Sequence, residues 1–314
     1  MPRRPRRRLP RGERARIAGE VAADHDGVAH RKDLRSRGVS RADVRSEVAA
    51  GRWRTEGRHT VVIGTAVMSE EARRWHAVWE SGPGAILDGV SALQAAGLRG
   101  FTSDAIDVSL PRGNRRHEVT RVRVRRRRVL GATIDAGVPR ARPELAALRA
   151  AEWAATDRTA VLILCLVVQQ RLVPPARLLS AWGSVRSSRR RTLLDRAISD
   201  ICDGAHSLGE LDFGALCRQA GLPSPSRQVV RTGPGGRVYL DVAWEDVGLV
   251  VEIDGGQHAL ALNPVDDALR QNEVTLSDDL VLRIPVLGLR LTPAAFMDQV
   301  VRAHARLAGR GRAA

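Results

Sequence analysis

Two apolar runs late in the sequence, 237–244 (RVYLDVAW) and 249–254 (LVVEID), stand on either side of a short polar turn and hold acidic side chains among β-branched ones. That combination predicts a β-hairpin. Side chains along a strand alternate between faces, so Glu252 and Asp254 share one face while Val251 and Ile253 share the other. With the turn centred between Asp246 and Val247, Asp241 falls opposite Glu252. Opposed Cβ atoms lie ~4.5–5.5 Å apart, close enough for like charges to destabilise the pair. Burying such a cluster uncompensated costs on the order of several kcal/mol per ion. A hard divalent cation, Mg2+ or Mn2+, removes that penalty: it takes oxygen ligands from one or two carboxylates and completes its shell with water and phosphate. Asp241 and Glu252 are therefore the expected metal ligands. The competing arrangement is an exposed sheet face that carries the acids. Against it stand the apolar character of 249–254, Gly255 and Gly256 directly after it, and the polar Gln257 and His258 beyond. Asp266, Asp267 and Arg270 then open a helix, and 279–286 (DLVLRIPV) reads as a further apolar strand.

Charge narrows the partners. The 314 residues include 51 Lys+Arg against 35 Asp+Glu, a formal +16. Such a surplus favours a polyanion, because neutralised phosphates release condensed counterions. An arginine-biased codon usage produces the same composition without that function; nearly all the cations are Arg, and the single lysine is Lys32. The charge is uneven. Arg3, Arg4, Arg6, Arg7, Arg8 and Arg11 form a proline-interrupted tail, 1–11, that is expected to be disordered. Arg121, Arg123 and 125–128 form a second run, where 119–126 (VTRVRVRR) alternates as a strand. A solvated sheet face and a phosphate track explain that run equally well.

Several classes are excluded. Aromatics at 3% argue against stacking on single-stranded bases, and three Cys without metal spacing exclude a disulfide scaffold or a zinc finger. The longest apolar run, 161–168, is far below the ~20 residues of a membrane span. No apolar stretch follows the basic start, so no secretory signal is expected and the compartment is read as cytoplasmic, with no membrane contact.

Residues 12–66 read as three helices and an extended hairpin. Ile17, Val21 and Ala22 form a helical stripe closed by Gly27, a short helix follows from about His30, and Ser40 with Asp43 forms a capping-box pattern ahead of Val44 and Val48. Trp53 to Ile63 then forms a two-stranded wing. This is the winged helix-turn-helix pattern, for DNA binding or protein docking, with Arg41, Arg45 and Arg52 on or beside the second helix of the turn as the expected DNA contacts. Residues 67–205 read as a mixed helical and β scaffold: a helix at 85–96, a strand at 105–110, then helices at 143–155, 158–170, 174–182 and 190–201. A helix over 207–221, with Ser207 as N-cap and Glu210 three residues on, opens the last region, 206–308.

In that region the residues fall in a telling order: a helix with Glu210, a strand with Asp241, a strand with Glu252, Asp254 and Gly255, then His258, Asp267 to Arg270, and 281–284 (VLRI). The order resembles the Vsr-like domains of the PD-(D/E)xK restriction-endonuclease superfamily over roughly a third of the chain. The resemblance implies a central mixed sheet with helices on both sides and Mg2+-dependent (or Mn2+-dependent) phosphodiester cleavage in double-stranded DNA. It implies Asp241 and Glu252 as metal ligands and a catalytic set completed by Asp254, His258 and Glu210. Asp254 stands where the superfamily usually has lysine, a departure shared by Vsr-like relatives. His258 either orients or deprotonates the attacking water or is a structural histidine at a strand end; Glu210 is either an active-site acid or the third residue of a capping box. Arg270 would pair with a carboxylate or the scissile phosphate, and so counts among the DNA contacts. Residues 12–66 resemble the winged helix of abortive-infection type IV antitoxins, which implies DNA and a toxin or other protein as partners. The expectation is a multidomain α+β protein: winged helix-turn-helix, mixed scaffold, and an α/β restriction-endonuclease-like domain. The expected function is a DNA endonuclease. The alternative is a non-catalytic DNA-binding regulator, antitoxin-like, with a degenerate nuclease domain.

Overall fold

The computed structural model describes residues 9–202, 212–232, 238–254, 268, 281–285, 288–289 and 292–310. Among these residues are eleven helices and three sheets, two of them mixed, so the chain is a multidomain α+β protein. It divides into two compact units, Met1–Arg149 and Ala150–Ala314. The division falls inside α6 (Pro143–Trp153), whose helical pattern runs on without a break.

The first unit opens with α1 (Arg11–Ala23), β1 (Val28–His30), α2 (Arg31–Ser36), α3 (Arg41–Ala49), β2 (Trp53–Glu56) and β3 (Thr60–Ile63), the strands pairing in the order β1-β3-β2. Buried Ile17, Ala18, Val21 and Ala22 recur at helical spacing on α1 and meet Leu34, Val44, Trp53 and Val61. The capping box at the start of α3 is present: Asp43 N donates to Ser40 Oγ at 3.2 Å, and Ser40 N donates to Asp43 Oδ2 at 3.0 Å. The short strand β1 was not expected. It ends at His30, whose ring accepts from Lys32 N and so caps α2.

The rest of the unit holds α4 (Glu70–Ser81), β4 (Ile86–Leu87), α5 (Gly89–Ala95), β5 (Ile106–Pro111), β6 (Val122–Arg127), β7 (Thr133–Ile134) and β8 (Arg140–Ala141), in a sheet ordered β6-β5-β4-β8-β7. The helix expected over 85–96 is corrected: Ile86 and Leu87 pair with β5, and the Asp88 side chain accepts from Gly89 N to start α5 there. The arginine run lies on β6 at one border of the sheet. Arg123 and Arg125 both reach the buried Asp107 carboxylate, at 3.3 and 2.6 Å, and Arg126 donates to Asn114 O. Burial raises the Asp107 carboxyl, and the two arginines offset part of that rise. Two arginines of the run thus brace the sheet, while Arg121, Arg126 and Arg128 are exposed.

The second unit contains α7 (Asp157–Gln169), α8 (Pro175–Gly183), α9 (Arg191–Cys202), α10 (Phe213–Gln219), β9 (Arg227–Thr232), β10 (Val238–Trp244), β11 (Leu249–Asp254), β12 (Val281–Pro285) and α11 (Pro293–Arg310). Its sheet is ordered β12-β11-β10-β9; β9, β10 and β11 are antiparallel neighbours, and β12 joins β11 in parallel. Leu240, Val242, Trp244, Val251, Ile253, Leu282 and Ile284 form its buried face with Phe213, Phe296, Met297 and Val300. The described helix begins at Phe213, and Asp212 caps it by accepting from Ala215 N. Ser207 lies outside the described residues.

Candidate metal centre and nucleic-acid interface

The hairpin forms with the expected register: Asp241 pairs with Glu252, and Leu240 and Val242 pair with Ile253 and Val251. The aliphatic residues fill the buried face, so alternation sends Asp241 and Glu252 to the other one. The row continues on both sides. Val229 of β9 lies beside Asp241, and Arg283 of β12 lies beside Glu252. Arg283 Nε donates to Glu252 Oε2 at 3.1 Å, with the Glu252 side chain 39% exposed and Arg283 71% exposed. This corrects the premise of buried, uncompensated acids. Both carboxylates are half-buried, and a neighbouring strand supplies a cation to one of them. The sequence signal for that cation was a lone arginine inside an apolar run.

Asp254 pairs in register with Tyr239 and Pro285. Glu210, His258 and Arg270 lie outside the described residues. Among the described residues no group of three or more His, Cys, Asp or Glu side chains is arranged to hold a metal. The pair itself fits a hard cation: it offers oxygen donors from two hydrogen-bonded strands, half open to the water that Mg2+ keeps in its shell.

The first unit carries the basic surface. Arg41 and Arg45 are exposed on α3. Arg52 is not free to join them: its Nε lies 2.6 Å from Glu47, whose nearly buried carboxylate also takes Arg14 at 2.9 Å, while Arg14 reaches Asp43 at 3.3 Å. The Arg52 hydrogen bond, opposed by burial and helped by Arg14, holds the Glu47 carboxyl below its ordinary range. This network fastens α1 to α3 and uses the arginine expected at DNA.

A concavity of about 440 Å³ is lined by Arg31, Arg35, Arg41, Val44, Arg58 and His59. It brings α2, the start of α3 and the β2–β3 turn together. Arg31, Arg35, Arg58 and His59 were not found from sequence, because they come from two separate stretches that only the fold brings beside α3. The turn is held by Glu80 of α4. Arg58 N, His59 N and Thr60 N donate to its carboxylate at 2.8, 2.6 and 2.8 Å, and Thr60 Oγ1 donates at 2.9 Å. Burial alone would raise the Glu80 carboxyl, but the His59, Arg58 and Thr60 hydrogen bonds outweigh it and hold the group below its usual range. A larger concavity of about 820 Å³ in the same unit carries Glu56, Glu70, Glu80, Asp104 and Glu118 and is unsuited to a polyanion.

No family model and no curated protein matches the chain. Among solved structures, the RV2827C protein from Mycobacterium tuberculosis is similar at 18% identity, over 73% of this chain and 91% of that one, with a TM-score of 0.40. A likeness at that level settles neither the fold nor the activity.

Proposed function

We propose that the chain is a Mg2+-dependent DNA endonuclease, in which a winged helix-turn-helix at 12–66 grips duplex DNA and a Vsr-like, restriction-endonuclease-like domain within 206–308 cuts it. The observation that carries the reading is the placement of Asp241 directly opposite Glu252 on one face of a mixed sheet. The helix-then-three-strands order, closed by a parallel fourth strand, agrees with the resemblance read from the sequence. For the grip, the order α1-β1-α2-α3-β2-β3 and the arginines around α3 support a winged helix.

Asp241 and Glu252 would hold the cation, with Arg283 steadying the Glu252 carboxylate from the next strand. Bound Mg2+ supplies positive charge where negative charge develops on the phosphate. In the hydrolysis the water oxygen bonds to phosphorus, the ester oxygen departs and takes up a proton, and a phosphate monoester and an alcohol remain. His258 is the candidate for orienting or deprotonating that water. The test is nicking of supercoiled plasmid in Mg2+ by the wild type beside Asp241→Ala and Glu252→Ala. Loss in both variants is expected; equal nicking by all three proteins overturns the reading.

The Glu252–Arg283 ion pair favours a second reading, a DNA-binding regulator of antitoxin type whose sheet has exchanged a metal for an arginine. Mn2+ titration by calorimetry separates the two. Binding that Asp241→Asn abolishes supports the nuclease, whereas no Mn2+ binding together with tight duplex binding supports the regulator.

A further inference from the structure

Several arginines of the first unit pair with a carboxylate: Arg14 with Asp43 and Glu47, Arg52 with Glu47, Arg74 with Glu71, Arg123 and Arg125 with Asp107, Arg149 with Asp88. Half-buried Arg31 and exposed Arg35, Arg41 and Arg58 do not. These four gather around one concavity with His59 and Val44, no acid is among the residues that line it, and none of the four pairs with a described carboxylate. Like charges gathered around one concavity repel, and an arriving anion relieves that repulsion.

Two further features mark the concavity as built to receive something. Arg31 Nε is buried and makes no hydrogen bond to a described residue. A buried donor without an acceptor costs ~1–3 kcal/mol, a cost that turning the guanidinium toward an incoming oxygen would relieve. The walls are also fixed in advance. Arg31 N donates to His59 O at 2.8 Å, tying α2 to the turn, and Glu80 holds the amides of Arg58, His59 and Thr60. Preorganised donors lose little freedom when a ligand arrives.

We propose that this concavity seats one phosphate group of the DNA backbone, gripped by Arg31, Arg35 and Arg58 as well as by Arg41 of α3. It rests on the DNA-binding half of the proposed function and is independent of whether the second unit cuts. Guanidinium forks match phosphate oxygens two at a time, which a carboxylate-free arginine cluster exploits better than a lysine cluster would. A seat of this kind sets the position of the duplex without reading its sequence.

The test is anisotropy of a fluorescein-labelled 20-base-pair duplex, with the full-length wild type, Arg31→Ala, Arg58→Ala and the double variant, at a series of KCl concentrations. Each phosphate neutralised contributes about −0.9 to the slope of log K against log salt. Each single variant is expected to flatten the slope by about 0.9 and to weaken binding roughly tenfold, equally for unrelated duplex sequences. The double variant is expected to flatten it by the same single step, because both arginines act on one phosphate. Arg31→Lys, which keeps the charge, is expected to retain most of the slope. Wild-type slopes in both single variants overturn the seat while leaving DNA binding intact. No duplex binding by the wild type at low salt overturns the DNA-binding reading itself. If the variants lose poly-glutamate binding and keep DNA binding, the seat belongs to an acidic polypeptide and the phosphate assignment falls.

Discussion

At the scale of single residues, Glu80 holds the β2–β3 turn, although the sequence did not single it out. Its carboxylate is 6% exposed and takes four hydrogen bonds from the β2–β3 turn. Glu80→Ala leaves three amides without their acceptor and is expected to cost about 2–4 kcal/mol in urea unfolding at pH 7. Because the folded-state carboxyl is held below its ordinary value, that stability is present above the unfolded pKa and lost as pH falls through the folded one. The difference between wild type and Glu80→Ala should therefore shrink in strongly acidic buffer. His30 titrates at higher pH. Burial leads in lowering its pKa, partly countered by Asp33 and Glu80 and reinforced by His59 and Lys32. A depressed histidine favours the folded state above the unfolded pKa near 6.5 and weakens it as pH drops further. His30→Gln should flatten the decline of the melting temperature between pH 7 and 5. The Ser40–Asp43 capping box was legible because its partners lie three residues apart. Glu80 was not legible, because its partners lie 20 to 22 residues back along the chain. The pairing of Arg52 with Glu47 was not legible either, because it spans the turn between α3 and β2.

At the scale of elements, the β10–β11 hairpin was readable down to its register, since period-two alternation and a short turn leave few ways to pair the strands. Helices α7, α8 and α9 were readable too, from apolar residues at helical spacing, whereas α11 was not among the expected elements. What escaped was β12's contribution, because a parallel neighbour arrives from beyond an intervening segment and local pattern cannot say beside which strand it lies. The two faces of the sheet should respond differently to truncation. Ile253→Ala, on the buried face, is expected to lose about 2–5 kcal/mol of stability. Glu252→Gln, whose exposed ion pair with Arg283 contributes at most about 1 kcal/mol, is expected to leave urea unfolding nearly unchanged while abolishing nicking. A large loss of stability in Glu252→Gln would make the carboxylate a structural group and remove the case for a metal there.

At the scale of the whole molecule, +16 is a number about composition until it is divided by partners. Part of the first unit's arginine is spent on internal carboxylates, and four of the cations left over collect at one concavity. Binding to duplex DNA should weaken steeply with salt, roughly 10³-fold between 50 and 200 mM KCl if six phosphates are engaged. A flat response in the anisotropy titration would return the charge to codon bias. The division into two units was not legible, because no shift in composition marks it: α6 passes through, and the Arg149–Asp88 pair that anchors its middle joins residues 61 positions apart.

The placement of β6 has a consequence for how crowded copies of this protein behave. A bare sheet border invites a stranger's backbone to zip on, and from such a first rung fibres grow. Here that border is fringed with guanidinium groups, two of them staked to Asp107. An approaching strand meets a hedge of charge and water, so the same arginines that first suggested a nucleic-acid track make this border a poor template for a second copy.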